Sequence, residues 1–124
     1  LKAGEDQLAQ DDIESVVAAA QGKPVKVIIE TGLLSNEEIV RASLISERAG
    51  AKFVKTATGF LGRGATVEDV QLIHKTVSDK VEIKASGGVK TLASALQMIE
   101  AGATRIGTSS GVALVTGLTA TTNY

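Results

Sequence analysis

The sequence predicts an α/β fold with parallel strands, and three observations predict it. Apolar stripes at helical spacing alternate strictly with short β-branched runs along the 124 residues. The connections are long enough to be helices, so each returns the chain to the same end of the sheet and makes the strands parallel. Finally, the strands sort to one apolar and one charged face. Val25, Val27, Ile29, Val54, Val81, Ile83 and Ile106 fall on the first, and Lys26, Ile28, Glu30, Phe53, Lys55, Glu82, Lys84 and Arg105 on the second. A doubly wound sheet packs helices on both faces and has no place for the charged set. A barrel wall has one, because its inner face near the strand ends forms the site. The expected architecture is half of a TIM (β/α)8 barrel: four parallel strands with flanking helices over residues 1–115, then a mobile, Thr-rich tail over 116–124.

Each element has a local reason. Ile13, Val16, Val17 and Ala20 repeat at helical spacing until Gly22 and Pro24 stop them, and Val25 to Glu30 reads as a strand. Ser35 and Glu38 have capping-box spacing and open a helix that Gly50 closes, followed by a strand from Lys52 to Thr56. Thr66 caps a third helix with Val67, Val70, His74 and Val77 near one face, leading to a strand from Val81 to Ala85. Thr91 opens a fourth with Leu92, Ala95, Leu96 and Ile99 as its apolar face, and Gly102 ends it. Thr104 to Gly107 is the last strand and Ser109 to Val115 a short last helix. An echo marks a repeated unit: Ala49-Gly50-Ala51 with Thr56 and Gly59 recurs as Ala101-Gly102-Ala103 with Thr108 and Gly111 at the same offset.

Composition excludes several functions. Thirteen basic against fourteen acidic side chains, with three aromatics, offer neither the cations nor the stacking platform of a nucleic-acid binder. With no cysteine and one histidine, no metal site is expected, and the reading calls for no cofactor. No apolar run approaches the ~20 residues of a membrane span, so a cytoplasmic protein without membrane contact is expected. A barrel typically takes ~250 residues, and half of one exposes its charged face and two strand edges. The chain is therefore expected to meet a completing N-terminal half, to self-associate as a homo-oligomer, or to be part of something longer; Leu1 is not a starting Met.

The residues that carry chemistry sit at strand ends. Lys55 and Lys84 are penultimate on consecutive strands and face inward, about 4.8 Å apart at the backbone. Two ammonium groups so close repel, which lowers the pKa of one and leaves a free amine, as in Schiff-base enzymes. The alternative is a pair of rim lysines that bind an anion or pair with Glu30 and Glu82. Lys26 is a third candidate, with Glu30 as its partner. The inward set holds four cations, Lys26, Lys55, Lys84 and Arg105, against two anions, Glu30 and Glu82, and so favours an anionic substrate. Gly-rich turns after the third and fourth strands, Ser86 to Lys90 and Gly107 to Gly111, stand where barrels bind phosphate. Gly59 to Gly64 is expected to be a third, mobile loop, with Arg63 reaching a phosphate or merely solvated. His74 reads as structural, and Asp11-Asp12 and Glu37-Glu38 as first-turn carboxylates offsetting helix dipoles.

Four motifs then carry a resemblance. Lys26-Val27-Ile28-Ile29-Glu30-Thr31-Gly32, Phe53-Val54-Lys55-Thr56-Ala57-Thr58-Gly59-Phe60, Ile83-Lys84-Ala85-Ser86-Gly87-Gly88-Val89-Lys90 and Gly107-Thr108-Ser109-Ser110 stand in the order and spacing of the deoxyribose-phosphate aldolase family. The chain resembles the C-terminal half of that family's barrel. The resemblance implies a metal-free class I aldolase that cleaves 2-deoxy-D-ribose 5-phosphate to D-glyceraldehyde 3-phosphate and acetaldehyde. It implies Lys55 as the Schiff-base lysine, Lys84 as the second lysine, and Gly87, Gly88, Ser109 and Ser110 as a phosphate cradle adjoined by Gly59 and Gly107. Lys26, Thr58, Lys90 and Tyr124 are implied in supporting places. Lys90 stands where the family often has arginine, Phe60 where some members have lysine, and the family's proton-transferring aspartate lies in its other half. The competing reading is a self-associating half-barrel scaffold that binds phosphate without catalysis; a third is another phosphate-binding barrel, such as a sugar-phosphate isomerase.

Overall fold

The computed structural model describes residues 4–116. In chain order the elements are α1 (Asp6–Ala19), β1 (Lys26–Ile28), α2 (Asn36–Arg48), β2 (Phe53–Lys55), α3 (Val67–Thr76), β3 (Glu82–Ser86), α4 (Leu92–Ala101), β4 (Arg105–Gly107) and α5 (Gly111–Thr116), with a short 3-10 turn at Thr31–Leu33. Thr116 thus lies in α5, and the remainder of the expected tail, Tyr124 included, lies outside the described residues.

All four strands are parallel and lie in the order β1-β2-β3-β4. Winding without reversal puts the helices on one side of the sheet, where α1 packs on α2, α2 on α3 and α3 on α4. Beneath them the core gathers Ile39, Val54, Val70, Ile73, Ile83 and Val89, all buried. The strands are shorter than their apolar runs, yet pairing extends past them: the Ile29 N–H donates to Lys55 O at 3.0 Å and the Thr31 N–H to Thr56 O at 2.8 Å. Among the described residues no helix is long and apolar enough to cross a membrane.

Helix ends follow their local signals. Ser35 and Glu38 close a reciprocal capping box on α2, and Thr91 does the same with Ser94 on α4. Gly50 and Gly102 turn the chain out of α2 and α4 with φ +92° and +126°, and the following alanines donate back to Ser46 O and Met98 O at 3.0 Å each. The sequence echo is therefore a repeated helix-to-strand corner.

Three expectations about helix faces are corrected. Asp11 and Asp12 lie in the second turn of α1; Asp6 occupies the first and binds Arg41 of α2 in a two-pronged ion pair. On α3 the buried positions are Asp69, Val70 and Ile73, while His74 is exposed and lies over Gly102. On α4 the sheet is met by Ala95, Met98 and Ala101, and Leu92, Leu96 and Ile99 remain about half exposed. Small residues bring α4 close to the strands, and the contact with the short α5 leaves the leucine stripe, turned away from α3, about half exposed.

A Cβ on Gly102 would stand 2.5 Å from His74 Cγ. We expect Gly102→Ala to lose about 1–3 kcal/mol in urea denaturation, and the double variant with His74→Ala to recover only part of it, since the position 74 Cβ would still stand 2.8 Å from the new one and the positive φ remains. Equal stability of Gly102→Ala and wild type would contradict this packing.

Candidate active site

The concave face is organised by rows of Cα partners. One row runs Ile28, Lys55, Lys84, Arg105 across the four strands, and the row two residues below runs Lys26, Phe53, Glu82. Between them the row Val27, Val54, Ile83 points outward, with Val54 and Ile83 sealed in the core. Contacts on the concave face run diagonally. The Arg105 guanidinium of β4 lies 4.3 Å from the centroid of the Phe53 ring of β2, two strands and two residues away. Lys26 of β1 acts on Lys84 of β3 across the same diagonal. A stagger of one residue per strand is the shear of an eight-stranded (β/α)8 barrel.

Lys55 and Lys84 are register partners on the same face. Burial first, then the positive charges of Lys26 and Lys55, holds the Lys84 ammonium below the ordinary lysine range. The carboxylates do not relieve this. Glu82 pairs with Lys52 at 3.3 Å, and Glu30 accepts the Thr58 N–H at 2.8 Å instead of pairing with Lys26 as the sequence suggested. Glu30 also adopts a left-handed backbone, φ 54°, and its second oxygen is buried without a partner among the described residues. A side chain held in that conformation at a strand end is a mark of a constrained site, and it fastens the loop that follows Lys55.

The loops above the strands are clasped to one another. Thr56 Oγ1 donates to Ser86 O and accepts the Ser86 N–H, both at 3.1 Å, and Ser86 Oγ donates to Ala57 O at 2.6 Å. From the other side Thr108 Oγ1 donates to Val89 O at 2.7 Å and accepts the Ser110 N–H at 3.0 Å. Thr56 and Thr108 are the echoed threonines, so the repeat that marked them carried a signal the sequence reading did not use. Glycine permits the closest approaches: a Cβ on Gly64 would lie 2.2 Å from Gly87 O, and one on Gly107 would lie 3.1 Å from Lys84 Cε. Lys84 therefore leans toward β4 over the bare backbone of Gly107.

The structure thus gathers Lys26, Lys55 and Lys84 on one face with Arg105, as the inward set of four cations predicted. Gly87, Gly88, Gly107 and Ser110 meet at the ends of β3 and β4, with exposed Ser109 and half-buried Lys90 at the margin. Thr58 and Gly59 stand on the loop after β2 that Glu30 holds. In the second half of the 59–64 loop, Arg63 grips Asp69 of α3 with both terminal nitrogens while staying about half exposed, and so ties the loop to that helix. Burial pushes the Asp69 carboxyl up, but the Arg63 guanidinium together with the Thr31 and Thr66 hydroxyls outweighs it and holds the pKa below its ordinary value. Among the described residues no three His, Cys, Asp or Glu side chains converge as metal ligands.

A family model described as DeoC/LacD family aldolase matches residues 1–117. The chain belongs to the DeoC/LacD aldolase family. It is 59% identical over 124 residues to the deoxyribose-phosphate aldolase of Staphylococcus epidermidis, covering 100% of this chain and 56% of that protein. Deoxyribose-phosphate aldolase 1 of Staphylococcus aureus is 57% identical with the same coverage. The chain spans about half the length of the curated relatives it matches. Solved structures agree: the aldolase QR15 superimposes with a TM-score of 0.87 at 42% identity over 93% of this chain and 52% of its own. The deoxyribose phosphate aldolase of Aeropyrum pernix, described as tetrameric, gives 0.84 at 32% identity over 94% and 50%. The architecture is half of the barrel of these aldolases, as the one-sided strand faces predicted.

Asp69 contributes stability above the ordinary carboxylate pKa and loses it as the pH falls through its lower folded value. Arg63→Ala should therefore cost about 1–3 kcal/mol at pH 7 and less near pH 3, measured by urea denaturation at both. A pH-independent loss would show that the pair with Asp69 is not its origin.

Proposed function

We propose that this concave face performs Schiff-base aldol chemistry on 2-deoxy-D-ribose 5-phosphate within a completed barrel. The observation that carries the reading is the register pairing of Lys55 with Lys84 on the open face. The names of the relatives support the substrate class. Lys55 is the nucleophile in this reading, and Lys84, its register partner, is the second lysine whose charge acts on it. The Lys55 amine adds to the C1 aldehyde, and loss of water leaves an iminium. The C3 hydroxyl gives its proton to a general base, the C2–C3 bond breaks, and its electrons flow into the iminium. Glyceraldehyde 3-phosphate leaves, and the remaining enamine is protonated at C2 and hydrolysed to acetaldehyde. The acid–base carboxylate comes from the other half of the barrel and contributes a typical 10²–10⁴-fold.

The substrate phosphate is placed at Gly87-Gly88 and Ser109-Ser110, with Gly59 and Gly107 adjoining and Lys90 at the rim. Lys26 and Thr58 line the approach. Their support is the clasp through Thr108 that draws the β3 and β4 loops together. The exposed Leu92, Leu96 and Ile99 of α4, with Val112 and Val115 of α5, are the surface that the completing half or a second copy covers.

Borohydride reduction of the completed barrel with acetaldehyde should add an ethyl group to Lys55, located by peptide mass spectrometry. Lys55→Ala should abolish that adduct and lower kcat by about 10³-fold or more. An adduct on Lys84 would exchange the two roles, and retained activity in Lys55→Ala would sink the mechanism.

A further inference from the structure

We propose that Arg105 is a positioning residue that keeps a permanent positive charge beside Lys84, and that the Phe53 ring is the anchor that keeps it there. The consequence for catalysis rests on the Schiff-base reading above; the effect of the charge on the lysine does not.

The geometry has three parts. Arg105 and Lys84 are Cα partners on β4 and β3 and share the concave face. Lys84 leans toward β4, its Cε passing 3.1 Å from where a Cβ of Gly107 would stand. The Arg105 guanidinium is stacked 4.3 Å from the centroid of Phe53, whose side chain is buried to 4% exposure. Phe53 is the one buried aromatic among the described residues, and it lies two residues before Lys55 on β2. Among the described residues no carboxylate makes an ion pair with Arg105.

The choice of anchor matters physically. A carboxylate would hold the guanidinium and cancel its field at the same time, whereas the face of an aromatic ring holds a cation through its quadrupole and leaves the net charge intact. The charged groups facing Lys84 are Lys26 from β1, Lys55 from β2 and Arg105 from β4. On β3 itself Glu82 is engaged by Lys52, and at the end of β1 Glu30 is turned to the Thr58 N–H. A guanidinium does not deprotonate in a protein, so Arg105 supplies the constant share.

The test reads the lysine directly. The pH dependence of Lys84 acylation by trace acetic anhydride, followed by peptide mass spectrometry without substrate, gives its titration midpoint. Arg105→Met should raise that midpoint by about 0.5–1 pH unit, and Arg105→Gln, which keeps a polar planar end, should do the same if the Met variant folds poorly. Phe53→Leu should raise it by a smaller step, and Phe53→Leu added to Arg105→Met should raise it no further. An unchanged midpoint in folded Arg105→Met or Arg105→Gln overturns the proposal, and additive steps in the double variant overturn the anchoring role. The ascending limb of the pH–rate profile should move with the midpoint. A shifted midpoint with no ethyl adduct on Lys55 supports the charge effect while defeating the Schiff-base reading; an adduct with no shift does the reverse.

Discussion

The register between β2 and β3 is the constraint on which the rest depends. Lys55 meets Lys84 only because Val54 and Ile83 are partners in the row beneath, each sealed against the helices. Side chains alternate along a strand, so a slip of one residue would bury two ammonium groups in the core and expose two β-branched residues to the mouth. The outward face therefore fixes the inward one. Burial of apolar groups under α2, α3 and α4 supplies the energy, and the chemistry on the other face is held in place by packing it does not touch.

A second layer of constraint lies above the strands. Thr56 and Thr108 hold the β3 loop from its two sides, one through Ser86 and the other through Val89. Gly64 lies on Gly87 closely enough that neither tolerates a side chain toward the other, and Arg63 fixes the intervening loop to α3. Lys84 sits under this clasp, so the amine and the Gly-rich turn that follows it form one rigid unit. In the proposed reading, a substrate that reaches both a lysine and these turns meets groups whose spacing is set in advance, which is what converts binding into orientation.

What the sequence made legible was whatever is local or alternates. Capping boxes at Ser35 and Thr91, the glycines after α2 and α4, and the one-sided charge of the strands all depend on neighbours within one element, and these gave the half-barrel and its inward lysines. What it hid depends on contacts between elements. Leu92, Leu96 and Ile99 have helical periodicity, but periodicity does not say which flank of α4 has a neighbour, and the small residues on the sheet side allow the closer approach. Arg63 and Glu30 looked like solvent-facing or mouth charges. Their partners, Asp69 and the Thr58 N–H, lie on other elements or loops. The diagonal stagger that brings Arg105 onto Phe53 leaves no trace in any single strand, since it is a property of the sheet.

Concentrating cations on one face opposes folding. An ordinary exposed lysine is protonated in both folded and unfolded chains at neutral pH and contributes little, but Lys84 binds its proton less tightly when folded. The unfolded chain then holds more protons between the lowered folded pKa and the ordinary lysine value, so stability rises with pH across that window, and below it the repulsion is fully present. In the proposed reading, a phosphorylated substrate would offset the same repulsion with negative charge. The repulsion on the empty face is in any case opposed by the apolar packing of Val54 and Ile83 on the sheet's other side.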